Sequence, residues 1–184
     1  VSQLLALKRA QAGAAAPNAE AANAAPPHAS IPQTIGEAVE SVYWEAERLG
    51  ITIEVEGLED LPANADPSFT MKPDDLFTIL RNLLENAVRY SPKGGTVTVK
   101  LAQIEPPVLC VMDEGPGIPQ EDRARVLEPF YRRLGTNVSG TGLGLAIVKH
   151  AAVYHHASLD LSSELGVGTT ITVTFPVRQD ESFA

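Results

Sequence analysis

The chain is poor in cysteine, in aromatic residues and in positive charge. Its one cysteine, Cys110, cannot form an internal disulfide, so no covalent framework holds this fold. Cys110 sits in the apolar run Val108–Met112 and reads as a core residue, not a nucleophile; a single thiol suits a reducing compartment. A net charge of −9 over 184 residues argues against a general nucleic-acid or anionic-membrane surface. It leaves room for a local basic pocket. No apolar stretch approaches the length of a membrane span. There is no GxSxG elbow, and Cys110 has no exposed partner, which makes serine or cysteine hydrolase readings weak. His150 and His155 lie five apart, off the i, i+4 spacing that two metal ligands on a helix need, and a turn or surface role suits them better. Signal peptide and initiating Met are both lacking, so the chain reads as an excised piece of something longer.

What is present is a core and a set of punctuated elements. Hydrophobic residues make up 44%, enough for one ordinary domain. Residues 1–10, VSQLLALKRA, read as the end of an amphipathic helix with Leu4, Leu5 and Leu7 on its apolar side. Residues 11–30 are almost all Ala, Pro, Asn and Gly and read as a flexible linker. The folded domain is expected over 31–178, with a short tail at 179–184. Within it the pattern predicts a helix over 34–49, with Thr34 as cap, Glu37 completing a capping box and Gly50 as the stop. A strand over 51–56 and a second short one over 69–71 follow. The strongest helix runs from Pro73 to Tyr90, with Asp74 and Asp75 in its first turn. A strand pair over 96–104 and 107–113, a short helix over 121–127, a helix over 142–154 and a strand pair over 158–163 and 169–177 complete the domain. Helices alternating with β-hairpins predict a two-layer α/β sandwich with a mixed, mostly antiparallel sheet.

Three segments carry chemistry. In the first, NVSGTGLGLAIVKH at 137–150, glycines alternate at Gly140, Gly142 and Gly144 and run straight into an apolar helix. Glycine lets a backbone approach a ligand closely, and the helix start turns free N–H groups and its positive dipole end on that loop. The combination is a phosphate cradle. It is neither a P-loop, since no Lys-Ser/Thr pair follows Gly144, nor a dinucleotide fingerprint, since Leu145 stands where Gly is needed. In the second, NLLENAVRY at 82–90, Asn82, Asn86 and Arg89 share one helical face opposite an apolar face. Two amides and a cation in line make a rim for Mg²⁺–triphosphate, the amide oxygen serving as a hard ligand. Glu85 is expected to point about 100° away from Asn86, toward solvent or the core edge. In the third, DEGPGIP at 113–119, Asp113 ends an apolar strand and can accept an exocyclic amine, while Gly115 and Gly117 let a planar base lie against the backbone. The stretch EPFYRR at 128–133, with the short polar run 134–139 behind it, reads as a lid ordered by nucleotide.

Together these segments resemble the ATP-binding catalytic domain of bacterial sensor histidine kinases, within the wider gyrase–Hsp90–histidine kinase–MutL ATPase superfamily (the Bergerat fold). The resemblance covers about 31–177: an N box at 82–92, a first glycine box at 113–119, an F box near 128–132, a second glycine box at 140–145 and a closing Gly166-x-Gly168-Thr169. It implies that Asn86 is the Mg²⁺ ligand, with Asn82 its neighbour near the phosphates. Arg89 and Tyr90 would flank the nucleotide, and Asp113 would bind the adenine amine. Gly140, Thr141, Gly142, Leu143, Gly144 and Leu145 would wrap the phosphates, Thr169 would support the adenine end, and Phe130 and Arg132 would form the lid base. Asn82, Arg89 and Arg132 are the candidate catalytic groups. The cofactors implied are ATP and Mg²⁺, and the product is a phosphohistidine.

Departures from that family sharpen the reading. ATP-hydrolysing members carry Glu where this chain has Asn82, so the water-activating base is missing there, which favours transfer over hydrolysis. Leu127 stands where Phe usually opens the F box, Lys72 where Asp usually precedes Pro73, and 155–158 lacks the customary glycines. No His-Glu/Asp-x-Arg-Thr-Pro segment occurs, and His28 in the Pro/Ala linker is a poor substitute. The phosphoacceptor is therefore expected on a dimerisation domain absent from this chain, whose last helical turns VSQLLALKRA resemble. The whole protein is expected to be a homodimeric inner-membrane sensor with this domain in the cytoplasm, and a response regulator as partner. An anti-sigma-factor-type serine kinase and a non-catalytic nucleotide-sensing or protein-interaction module are the alternatives.

Overall fold

The computed structural model describes residues 30–59, 61, 71–132 and 140–176. The readings of 1–10 and 11–29, the tail at 179–184, Arg133 and the run 134–139 lie outside the described residues, as does most of the strand expected over 69–71.

Helix α1 (Ile31–Leu49) starts a turn earlier than the pattern predicts. Pro32 fits the first turn, and Thr34 sits inside it, its N–H and hydroxyl both donating to the Ser30 carbonyl at 2.9 and 2.8 Å. Thr34 is therefore not the cap, and the expected capping box does not form. Gly50, at φ 69°, stops the helix in the left-handed conformation glycine tolerates. Strand β1 (Thr52–Glu56) leads to α2 (Pro73–Tyr90), whose two ends fall where the sequence puts them. Strands β2 (Thr96–Ile104) and β3 (Pro107–Asp113) form a hairpin. The short helix expected over 121–127 is instead two single 3-10 turns, Gln120–Asp122 and Arg125–Leu127. Helix α3 (Gly144–Tyr154) begins at the last glycine of the cradle, and β4 (Ser158–Glu164) and β5 (Gly168–Thr174) close the fold.

The five strands lie in the order β1-β2-β3-β5-β4, with β1 parallel to β2 and every other pair antiparallel. Alternation along the strands sends Ile53, Val97, Val99, Leu101, Leu109, Val111, Ile171 and Val173 to one face, where all are buried. The apolar stripes of α1 (Ile31, Ile35, Val39, Val42) and α2 (Leu76, Ile79, Leu80, Leu83, Leu84, Val88) join them in one core with Phe175. This is the expected two-layer sandwich with a mostly antiparallel sheet. Cys110 belongs to the other register of β3. It is half-buried on the opposite face, with Sγ 3.5 Å from the Thr172 hydroxyl, and is not part of the core. Among the described residues no helix is long and apolar enough to cross a membrane.

Candidate nucleotide site

A cleft of about 430 Å³ opens between α2, the start of α3, the end of β3 and the segment 116–132. That volume suits a small-molecule ligand. Every expected contact residue but one lines it: Asn82, Asn86, Arg89, Tyr90, Asp113, Gly117, Arg132, the whole run Gly140–Leu145, and Thr169. The exception is Gly115. It is buried beneath Asp113, and a Cβ there would come within 2.9 Å of the Tyr90 carbonyl oxygen. Its N–H donates to Asp113 Oδ1 at 2.8 Å, so Gly115 orients the carboxylate and does not form the wall.

One end of the cleft is made by the sheet. Asp113 stands in register with Thr169 between β3 and β5. Burial pushes the Asp113 carboxyl above its ordinary value, and hydrogen bonds from the Gly115 and Thr169 backbones hold that rise back. The loop after β3 is pinned from behind. The Ile118 N–H donates to Ser163 Oγ at 2.8 Å, and Arg123 reaches the Ile118 carbonyl at 3.3 Å and the Ser163 carbonyl with its other nitrogen. Gly117 and Gly168 are required by contact. A Cβ on Gly117 would stand 2.1 Å from the Glu164 carbonyl oxygen, and one on Gly168 would stand 1.9 Å from that of Asp113.

The other end is made by two helices. The start of α3 is pressed against α2 so closely that a Cβ on Gly144 would lie 3.0 Å from Asn86 Nδ2 and 3.3 Å from Asn82 Oδ1. One on Gly140 would lie 3.1 Å from an Arg89 guanidinium nitrogen. The free N–H groups of the α3 start therefore share one wall with both amides and the cation, an anion-binding arrangement. Asn82 donates its amide to the Thr78 carbonyl at 2.8 Å, leaving its oxygen. Asn86 Nδ2 is buried with no partner. The two ends of a side-chain amide are interchangeable by rotation, so this buried position offers either a donor or an acceptor to the cleft.

The segment before the expected lid is held by contacts of its own. Tyr131 bonds Asp122 Oδ1 at 2.6 Å and lies under the Arg125 guanidinium, 4.4 Å from ring centre. Phe130 is in the left-handed region at φ 64°, and its N–H donates to the Gly142 carbonyl at 2.9 Å. The F-box segment is thereby docked on the glycine loop.

Three features were misread or missed in the sequence. Glu85 lines the cleft instead of pointing away. Asn82, Glu85, Asn86 and Arg89 are spaced i, i+3, i+4, i+7, which is one helical face, and a wall this broad takes all four. Arg81 holds the Glu85 carboxylate at 2.7 Å. Apolar lining by Ile118, Val126, Ile147 and Ile171 went unnoticed, because each looks like ordinary core. Ser163 carries no motif at all. His155 stands in the turn after α3, with Nε2 2.9 Å from Asp75 Oδ2, tying the end of α3 to the first turn of α2. Among the described residues no three His, Cys, Asp or Glu side chains converge on a metal position.

With the geometry in view, comparison with known proteins is specific. Residues 71–179 match the family model described as histidine kinase-, DNA gyrase B-, and HSP90-like ATPase. The sensor histidine kinase WalK of Bacillus subtilis is 38% identical over 133 residues, 69% of this chain and 22% of that protein. The sensor-like histidine kinase SenX3 of Mycobacterium tuberculosis is 32% identical over 183 residues, 96% of this chain and 41% of that protein. The solved structure of a mycobacterial sensor histidine kinase, MprB, superposes with a TM-score of 0.62 at 32% identity, covering 79% of this chain and 93% of that one. The chain thus spans between about a fifth and two fifths of these curated relatives.

Proposed function

The chain belongs to the histidine kinase-, DNA gyrase B- and HSP90-like ATPase family, and we propose that it is the catalytic domain of a sensor histidine kinase that binds Mg²⁺–ATP and passes the γ-phosphoryl group to a histidine on another domain. One observation carries this: the cleft joins an acceptor-lined end (Asp113, Thr169) to a donor-lined end (the α3 start, Arg89). A molecule with an amine at one end and a polyphosphate at the other fits that polarity.

Each residue then has a task. Asp113 takes the base amine, held in place by Gly115. The cradle Gly140–Leu145 and Arg89 neutralise the phosphates, and Tyr90 flanks the nucleotide. Arg132 borders the same end from the lid base. Asn86 fits a hard cation, because its buried amide nitrogen has no internal partner, and rotation of the amide would turn an oxygen, a Mg²⁺ ligand, to the same position. A bound Mg²⁺ would offset phosphate charge, needing few protein ligands besides the phosphates themselves.

In the reaction an imidazole nitrogen of the acceptor forms a bond to the γ-phosphorus as the bond to the β–γ bridging oxygen breaks, and ADP leaves. The chain contributes position and charge, not a base. Asn82 has its amide tied to Thr78 and cannot take a proton from water. Glu85 is engaged by Arg81. This disposition favours transfer over hydrolysis. The proposed whole protein is a homodimer at a membrane that carries the acceptor domain, and its partner is a response regulator that receives the phosphoryl group.

Calorimetric titration of ATP with Mg²⁺ into this chain and into Asp113→Asn tests the reading. Binding in the micromolar range, roughly −8 kcal/mol or weaker, that weakens about thirtyfold in the variant supports it. Rapid ATP hydrolysis by the isolated chain would count against a transferase, and absence of binding would favour a protein-interaction role.

A further inference from the structure

Ser163 lies on β4, outside every motif, and is buried, with 8% of its surface exposed. Its hydroxyl meets three partners. The Ile118 N–H donates to it at 2.8 Å, its own O–H reaches the Gly168 carbonyl at 2.8 Å, and the Thr169 hydroxyl oxygen lies 2.9 Å away. A serine hydroxyl has one proton and two lone pairs. A backbone N–H can only donate and a carbonyl can only accept, so the proton and one lone pair are committed. The remaining contact must run from the Thr169 hydroxyl to Ser163. Thr169 also has a single hydroxyl proton, and that proton is used inside the protein. What its oxygen offers the cleft is lone pairs alone. Asp113, its neighbour in register, is likewise an acceptor when ionised.

Resting on the nucleotide reading above, the structure assigns Ser163 as a positioning residue for base selection. By fixing the Thr169 proton away from the cleft, it makes this end take a purine through a 6-amino group and reject a 6-oxo group. An amine brings donors to these acceptors, whereas a carbonyl oxygen sets lone pair against lone pair. Ser163 never touches the base and acts through Thr169. The same hydroxyl holds the Ile118 N–H, so one residue sets both the loop after β3 and the direction of the proton.

The test is a double-mutant cycle on base selection. Binding of ATP and of inosine triphosphate, which carries the 6-oxo group, is measured by calorimetry with Mg²⁺. The proteins are the native chain, Ser163→Ala, Thr169→Val and the double variant. The native chain is expected to favour ATP by roughly tenfold or more, the scale of one buried polar group left badly matched. Ser163→Ala frees the Thr169 proton to face the cleft, so the ratio narrows by about threefold or more. In the Thr169→Val background the same change leaves the ratio where it was, and Ser163→Thr, which keeps the hydroxyl, restores the native ratio. A merely structural Ser163 would weaken both nucleotides together with the ratio unmoved, and that result overturns the assignment. So does equal narrowing in both backgrounds. If Ser163→Ala loses cooperative thermal unfolding, Ser163→Cys replaces it; its weak thiol should give an intermediate ratio, and a native ratio overturns the assignment. A native chain that binds neither nucleotide overturns the nucleotide reading as well, an outcome distinct from binding with an unmoved ratio.

Discussion

The two ends of the cleft are built by different means. At the base end the Asp113 carboxylate, the Ile118 N–H, the Gly168 carbonyl and the Ser163 and Thr169 hydroxyls already bond within the protein. At the phosphate end Gly140 and Thr141 are exposed, Phe130 is 72% exposed in a left-handed conformation, and the Asn86 amide has a buried atom without a partner. One end has its polar groups bonded within the protein; the other leaves a buried amide nitrogen without a partner. A preformed end supplies selectivity at little ordering cost. On the proposed reading, phosphate bound at the other end would meet the glycine loop on which Phe130 is docked.

The strongest way to break this contrast is to strike the glycines that let the base end close. Gly168→Ala would place a Cβ 1.9 Å from the Asp113 carbonyl oxygen, against backbone that cannot rotate aside. A loss of more than about 3 kcal/mol of stability is expected in chemical denaturation. Gly166 is the control. It also has positive φ, 76°, but no atom lies within 4 Å of its Cβ position. Gly166→Ala should cost only about 1 kcal/mol, the backbone strain alone. Equal losses at the two positions would mean that the base end is not closely packed.

Asp113→Asn separates binding from stability at the same end. Replacing a charged acceptor should weaken ATP binding by about 2 kcal/mol, near thirtyfold. Stability should move the other way. Burial raises the folded-state value of Asp113, so its neutral form is the one that folding favours. That contribution is full below the unfolded value and is lost as pH rises through the folded one. At neutral pH the ionised carboxylate works against the fold, and the neutral amide of the Asp113→Asn variant relieves it. Thermal melts at pH 7 should therefore show no loss of stability in the variant. ATP affinity of the native chain should also begin to fall, on acidification, above the ordinary carboxylate range. A variant destabilised at pH 7 would show that the Gly115 and Thr169 hydrogen bonds outweigh desolvation.

The phosphate end predicts a smaller effect of the same kind. Asn86→Ala removes a buried polar atom that bonds to nothing, so the melting temperature without ligand should not fall. Mg²⁺–ATP affinity should fall about tenfold, near 1.4 kcal/mol. With chelator in place of Mg²⁺, native and variant should bind ATP alike. A difference that survives the chelator would assign Asn86 to the phosphates and not to the cation.

How much of this was legible follows from the type of signal each part leaves. Helix α2 was readable to the residue because Pro73 marks its start and a 3.6-residue apolar period fills it. The hairpin of β2 and β3 was readable from alternation and turn residues. The glycine run was readable from three glycines at alternate positions leading into an apolar helix, and Gly144 lies against both amides. Glu85 was misplaced because a wheel drawn from Asn86 alone ignores the breadth of the face running from Asn82 to Arg89. Cys110 was misplaced because β3 is apolar in both registers, so alternation could not tell core from open face. Residues 121–127 looked helical by composition but break into two turns around Arg123, whose guanidinium is drawn to the Ile118 and Ser163 carbonyls. Ser163 was invisible, since a serine in a strand acquires meaning only from what the fold brings within hydrogen-bonding reach of it.

The mildest test concerns Phe130. A non-glycine residue at φ 64° is strained by roughly 1 kcal/mol, and here an exposed ring gains little packing to offset it. The conformation is held by the N–H bond to the Gly142 carbonyl and by Tyr131, which is fastened to Asp122 and stacked under Arg125. Glycine at 130 would keep that bond and lose the strain, at the cost of a more flexible unfolded chain. Phe130→Gly should therefore stabilise the ligand-free protein by about 0.5 kcal/mol, read as a small rise in denaturation midpoint at unchanged slope. The ATP-to-inosine triphosphate ratio, set at the other end, should stay within about twofold of native. A clear loss of stability would show that the ring is packed, and that the phosphate end is closed in the absence of ligand. A shifted base ratio would show that the two ends are coupled and that the division between them does not hold.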